Sequence, residues 1–115
     1  MSTPSANEIW VVERGAEVIE KQRNTGESNL SPWERLVYCL WATDYMMRNA
    51  GDFANAVDLY RDFQGDGKDL AQRLGLPATY EAFSLPQPEL QRTYFQRFEE
   101  ICTEVKGADP IAQDA

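Results

Sequence analysis

Asp44 and Arg48 stand one helical turn apart in the segment LWATDYMMRNAGD, and Asp44 interrupts the most apolar stretch of the chain. On a helical wheel Asp44 falls between Trp33 and Val37, inside an otherwise apolar stripe. A carboxylate in a core is costly unless it is partnered. Arg48 at i+4 and the amides of the following corner are within reach of it. Two roles follow. Asp44 pins the corner by hydrogen bonds, or Asp44, Arg48, Asn49, Gly51 and Asp52 line a small polar pocket for a small molecule or a reaction. A carboxylate–arginine pair with neither a nucleophile nor a metal cluster beside it favours the structural role.

Other chemistries find less to work with. The chain has no histidine, which removes Ser-His and Cys-His catalysis, histidine metal sites and the commonest general base. Cys39 and Cys102 are expected as buried free thiols, and two cysteines without histidine make a poor structural zinc set. The segment DFQGDGKDLAQR, residues 62–73, has acid, amide, aspartate and glycine at the first, third, fifth and sixth positions of a calcium loop. Its twelfth position is Arg73 instead of a bidentate glutamate, and Asp69 replaces the apolar residue at the eighth. A solvated loop is expected there. DLAQRLGLPATYEAF spaces Ala71 and Gly75 as a helix-turn-helix does, yet its would-be recognition helix carries Glu81 and no lysine or arginine. Phosphate contact and base readout depend on such donors, so two short packed helices are expected instead. No catalytic residue, cofactor or metal emerges, and the chain reads as non-enzymatic.

The elements that hold these residues are helical by periodicity. A first helix is expected over residues 7–23. Ile9, Val11, Val12, Ala16, Val18 and Ile19 share its broad apolar face, with Glu13, Glu17 and Glu20 opposite. Ser31-Pro32-Trp33-Glu34 is a capping box with proline at the first helical position, and it opens a second helix. That helix is apolar on nearly all sides, which places it at the centre, and Gly51 is fit to end it in the left-handed conformation. Asp52 is expected to cap a third helix with Phe53, Val57, Tyr60 and Phe63 at core spacing. A glycine-rich loop, QGDGK, follows. Asp69 then opens a short helix ended by Gly75, and a turn lies around residues 79–83. A last helix over 87–106 carries Leu90, Tyr94, Phe98, Ile101 and Val105 inward. No segment alternates as a strand does. The fold class is all-α: a compact single-domain bundle of about five helices over residues 1–115, with helix 2 central and residues 1–6 and 108–115 loose.

Charge narrows the partner. The 115 residues carry a net charge of −8, and such a surface repels phosphate backbones, so direct nucleic-acid binding is not expected. No run approaches the roughly 18 apolar residues of a membrane span. The N-terminus lacks a basic region followed by an apolar one, so the expected location is cytoplasmic. Glu13, Glu17 and Glu20 span about 10 Å along helix 1. With Asp58 and Asp62 on the outer face of helix 3, they form either a solvated acidic face that serves solubility or a candidate surface for a protein with a basic face. Oligomeric state is left open.

The span LSPWERLVYCLWATDYMMRNAGDFANAVDLY, residues 30–60, resembles the DNA-mimic-protein-like domain of small bacterial proteins. Trp41 and Asp44 match its aromatic and acidic helix, and Asn49, Gly51 and Phe53 match its Asn-Gly-Gly-Phe-like corner. Ala50 replaces the first glycine, and Asp52 is inserted before the phenylalanine. The resemblance implies an acidic, all-helical bacterial protein whose carboxylates stand in for phosphates against a DNA-binding protein. A toxin to be neutralised is an equivalent basic partner.

Overall fold

The computed structural model describes residues 3–110. Six α-helices and one 3-10 turn occupy them: α1 (Ala6–Thr25), the turn Glu27–Asn29, α2 (Pro32–Ala50), α3 (Ala56–Leu59), α4 (Phe63–Leu74), α5 (Pro77–Ser84) and α6 (Gln87–Gly107). There is no strand among the described residues. The α1/α2 hairpin is antiparallel, with Lys21 meeting Glu34 at one end and Glu8 meeting Arg48 at the other. α2 packs on both α1 and α4, α5 lies between α4 and α6, and α6 returns to α1 and α2.

α2 occupies the centre, as its all-round apolar pattern requires. Its Leu36, Val37, Cys39, Leu40, Met46 and Met47 are buried. The expected capping box is present: Ser31 Oγ accepts from Glu34 N at 3.1 Å, and Glu34 accepts from Ser31 N at 2.8 Å. At the other end Gly51 adopts φ 74°, and its N–H reaches Met47 O at 2.9 Å. A side chain would be strained in that conformation. The inward residues of α6 are buried as expected, and the Trp33 indole ties α2 to that helix by donating to Val105 O at 2.7 Å.

Gly15 sets how closely α1 and α2 approach. A Cβ there would lie 2.4 Å from Trp41 Cδ1 and 2.8 Å from Trp41 Cβ, so the two helices meet where no side chain intervenes. α1 consequently buries Val11, Gly15 and Val18. The remainder of its expected core face is largely open: Ile9 is 46% and Val12 57% exposed, Ala16 is exposed, and Ile19 is half-buried.

Five stretches depart from expectation. Residues 5 and 6 are not loose. Ser5 forms a second capping box with Glu8, its N–H donating to Glu8 Oε2 at 2.6 Å, and α1 begins at Ala6. In the tail, Ala108 and Asp109 are partly buried, and Asp109 lies 3.9 Å from Arg14; residues 1–2 and 111–115 lie outside the described residues.

The third helix is shorter than expected. Asp52 does not cap it but accepts from Ala54 N at 3.1 Å in a local turn. The helix spans only Ala56–Leu59, and Val57 is 63% exposed. The expected glycine-rich loop is instead the body of α4, with Asp69 in mid-helix. Phe63, Gly67 and Ala71 form its buried face. Gly67 gives Phe83 room, since an added Cβ would touch that ring at 3.0 Å. Close packing therefore overrides the poor helix propensity of two glycines.

Finally, the expected turn near residues 79–83 is helix α5, whose N-cap position, Leu76, has no side-chain acceptor. Glu104 of α6 supplies one, accepting from Ala78 N, Thr79 N and Thr79 Oγ1, each at 2.8 Å.

Candidate functional site

The Asp44 carboxylate is 4% exposed. Arg48 Nε donates to its two oxygens at 3.0 and 3.1 Å, and Tyr94 Oη donates to Oδ1 at 2.7 Å. Arg48 reaches onward to Glu8 Oε1 at 2.7 Å. Its guanidinium lies 4.8 Å from the Phe98 ring centre and 5.0 Å from that of Phe95. One network thus joins α1, α2 and α6. Burial raises the Asp44 pKa, and the Tyr94 hydroxyl and Arg48 oppose that rise. Glu8 moves the other way, held low first by the Ser5 amide and also by Arg48. Among the described residues no buried side-chain nitrogen or oxygen lacks a partner.

The corner after α2 does not join this network. Asn49 donates to Tyr45 O at 2.7 Å, Gly51 closes the helix, and Asp52 binds the turn that follows it. Asp44 and Arg48 therefore come together, while Asn49, Gly51 and Asp52 serve their own backbone. Two members of the network, Glu8 and Tyr94, lie outside the expected polar set. Glu8 is signalled locally by the Ser-x-x-Glu spacing from Ser5. Tyr94 falls at a core position of the α6 period, and a buried phenol there usually has a hydrogen-bond partner.

A second polar chain joins Cys39, Tyr60 and Asp66. Cys39 Sγ donates to Tyr60 Oη at 3.3 Å, and Tyr60 Oη donates to Asp66 Oδ2 at 2.7 Å. It borders a groove of about 240 Å³ lined by Glu27, Arg35, Tyr38 and Tyr60. Burial pushes the Cys39 thiol up to about 12. It stays protonated at neutral pH and is a poor nucleophile. Cys102 is also free and buried, its thiol pushed up to about 12 by burial first and by Asp44 next.

The acidic candidates divide between two places. Glu13, Glu17 and Glu20 are all exposed along α1. Glu17 is paired with Arg14 at 2.8 Å, and among the described residues Glu13 and Glu20 have no ion-pair partner. Asp58 and Asp62 are exposed too, but α3 ends at Leu59 and α4 begins at Phe63, so Asp58 lies in α3 and Asp62 at the start of α4. Beside the α1 glutamates run two adjoining grooves that share Val12. One, of about 360 Å³, is lined by Ile9, Val12, Glu13, Asp44 and Arg48 among others. The other, of about 520 Å³, is lined by Val12, Ala16, Ile19, Glu20 and Trp41 among others.

No protein-family model, curated protein or solved structure matches this chain.

Proposed function

We propose that this chain is a non-enzymatic binding protein that presents the acidic outer side of α1 to a partner with a basic surface. The observation that carries this reading is the exposure of Glu13, Glu17 and Glu20 along one helix, two of them without an ion-pair partner among the described residues. Such a row attracts a basic partner over roughly a Debye length, about 8–10 Å at physiological salt. The net charge of −8 works in the same direction. The resemblance of residues 30–60 to the DNA-mimic-protein-like domain supports a DNA-binding protein as partner, and a basic toxin has the same electrostatic fit. A small-molecule or catalytic pocket around Asp44, Arg48 and the 49–52 corner has less support. The Asp44 oxygens are already engaged by Tyr94 and Arg48, and the corner polar groups are engaged by backbone.

The test begins with proteins retained on the immobilised chain at about 50 mM salt and released as salt rises. The affinity of a purified partner is then compared for the wild type and the E13Q/E17Q/E20Q variant. The variant is expected to bind about tenfold more weakly, a loss of about 1.4 kcal/mol, with a shallower salt dependence. Equal affinity and equal salt dependence would overturn the proposal.

A further inference from the structure

We infer that the seam between α1 and α2 receives a lysine- or arginine-bearing amphipathic helix of the partner. This inference rests on the protein-binding reading above and names the class of segment bound. Ile9, Val12, Ala16 and Ile19 follow a three-four-three spacing, which places them on one face of α1. That face is distinct from the Val11, Gly15 and Val18 face buried against α2. Three of the four are exposed and Ile19 is half-buried. Across the seam α2 contributes Trp41, whose ring stacks on Tyr45 at 5.3 Å, and Tyr45 is itself 50% exposed. The two grooves that share Val12 run along this seam and have room for side chains. From Ile9 to Ile19 the strip is about 15 Å long, about three turns of a docked helix.

Charge selects the occupant. Glu13, Glu17 and Glu20 each follow a stripe residue by one position, so on the wheel they lie on the flank of the stripe away from the buried face. A helix seated in the seam would place one polar flank over these carboxylates. Lysine or arginine there is attracted, whereas aspartate or glutamate is repelled. The Arg48 charge at one end is already met by Asp44 and Glu8, and Arg14 is taken up by Glu17. Arg23 lines the far end beside Glu20, so Glu13 and Glu20 against Arg23 leave the flank net acidic. A second copy of this chain fits less well, because each copy brings a net charge of −8. Apolar anchors at i, i+3 or i+4 and i+7 are the usual means by which a helix is held in such a groove.

The test uses the full chain and synthetic peptides of about 18 residues, close to 27 Å when helical. One peptide has leucines on one face and lysines on both flanks. A second is a scramble of the same composition with no apolar face, and a third has glutamate in place of lysine. Binding is read by fluorescence anisotropy, with circular dichroism and melting temperature as folding controls for every variant. The leucine–lysine peptide is expected to bind at least tenfold more tightly than either comparison peptide. The I9S/V12S variant should weaken that binding at least tenfold without a change in melting, since both side chains are exposed. The E13Q/E17Q/E20Q variant should weaken it as well, and E100Q on α6 should not. Equal binding of the scramble would overturn the seam while leaving the acidic-surface reading in place. Binding insensitive to E13Q/E17Q/E20Q would overturn the basic class of partner and the acidic-surface reading together. Full affinity in I9S/V12S, or no binding of any peptide, would also overturn the inference. A wild-type dimer in sedimentation that becomes monomeric in I9S/V12S would do so too, by making a second copy the occupant.

Discussion

Asp44 remains in an apolar helix face because two groups share its charge. Arg48 supplies its Nε–H, shared between the two oxygens, from one turn away, and Tyr94 supplies a hydroxyl from α6. The phenol donates to the ionised form and thereby holds down a pKa that burial raises. Tyr94→Phe should raise the Asp44 pKa further and cost about 1.5–3 kcal/mol, the worth of a hydrogen bond to a charged group. Side-chain carboxyl NMR across a pH titration, together with urea unfolding, reads both effects. An unmoved Asp44 titration would show that the phenol does not control its charge. The presence of Asp44 in the stripe, and its need for a partner, were legible in the sequence, as was Arg48 at i+4. Tyr94 was not legible as that partner, because fifty residues separate it from Asp44 and its apolar ring already explained its position in the core pattern.

At the scale of elements, three glycines make opposite demands. Gly15 lets Trp41 of α2 lie directly on α1, and Gly67 lets Phe83 of α5 lie on α4. Gly65 has nothing within 4 Å of its would-be Cβ, although it too lies within α4. Gly15→Ala should therefore destabilise by about 1–3 kcal/mol through overpacking, because Trp41 Cβ is close to the α2 backbone and cannot swing aside. Gly65→Ala should stabilise by about 0.5–1 kcal/mol by lowering the backbone entropy lost on forming the helix. Thermal or urea unfolding of the two variants should move in opposite directions. A shared sign would contradict the packing account. The α4 boundary differs from the sequence expectation for a related reason. QGDGK has the composition of a loop, and only the arrival of Phe83 gives one of its glycines a packing role.

For the whole molecule, acid stability depends on carboxylates that close the helix starts. Burial raises the Glu34 pKa, but the Ser31 amide and the Lys21 ammonium outweigh it, so the folded value lies below the ordinary value of 4.5. Between the two values the unfolded chain binds more protons than the folded one, and stability is lost as pH falls through that window. Asp44 has the opposite sign. Its folded value lies above 3.8, so its contribution declines as pH rises through the window above that figure. Glu34→Gln should flatten the loss of stability below pH 4.5, measured by urea unfolding at a series of pH values. An unchanged acid limb would remove Glu34 as a cause. At the same scale, the described chain measures 35 × 30 × 28 Å. In so small a body α1 has one face on α2 and another left open, and this geometry provides the proposed docking seam.

Local chemistry settled much of this protein before any packing was known. The Ser31-Pro32-Trp33-Glu34 start, the Gly51 stop, the central α2 and the inward face of α6 depend on neighbours within a turn or on a period of 3.6, so sequence alone determines them. The exposure of Glu13, Glu17 and Glu20 followed from the same wheel. Tertiary structure decided which of the α1 apolar residues were covered, since that depends on how near Trp41 comes to Gly15. It also decided that Glu104 would cap α5 from α6 and that a glycine-rich run would be helical. In each case the deciding atoms belong to a distant part of the chain, and a hydrophobic period specifies which face is apolar without specifying how much of that face a neighbour will bury.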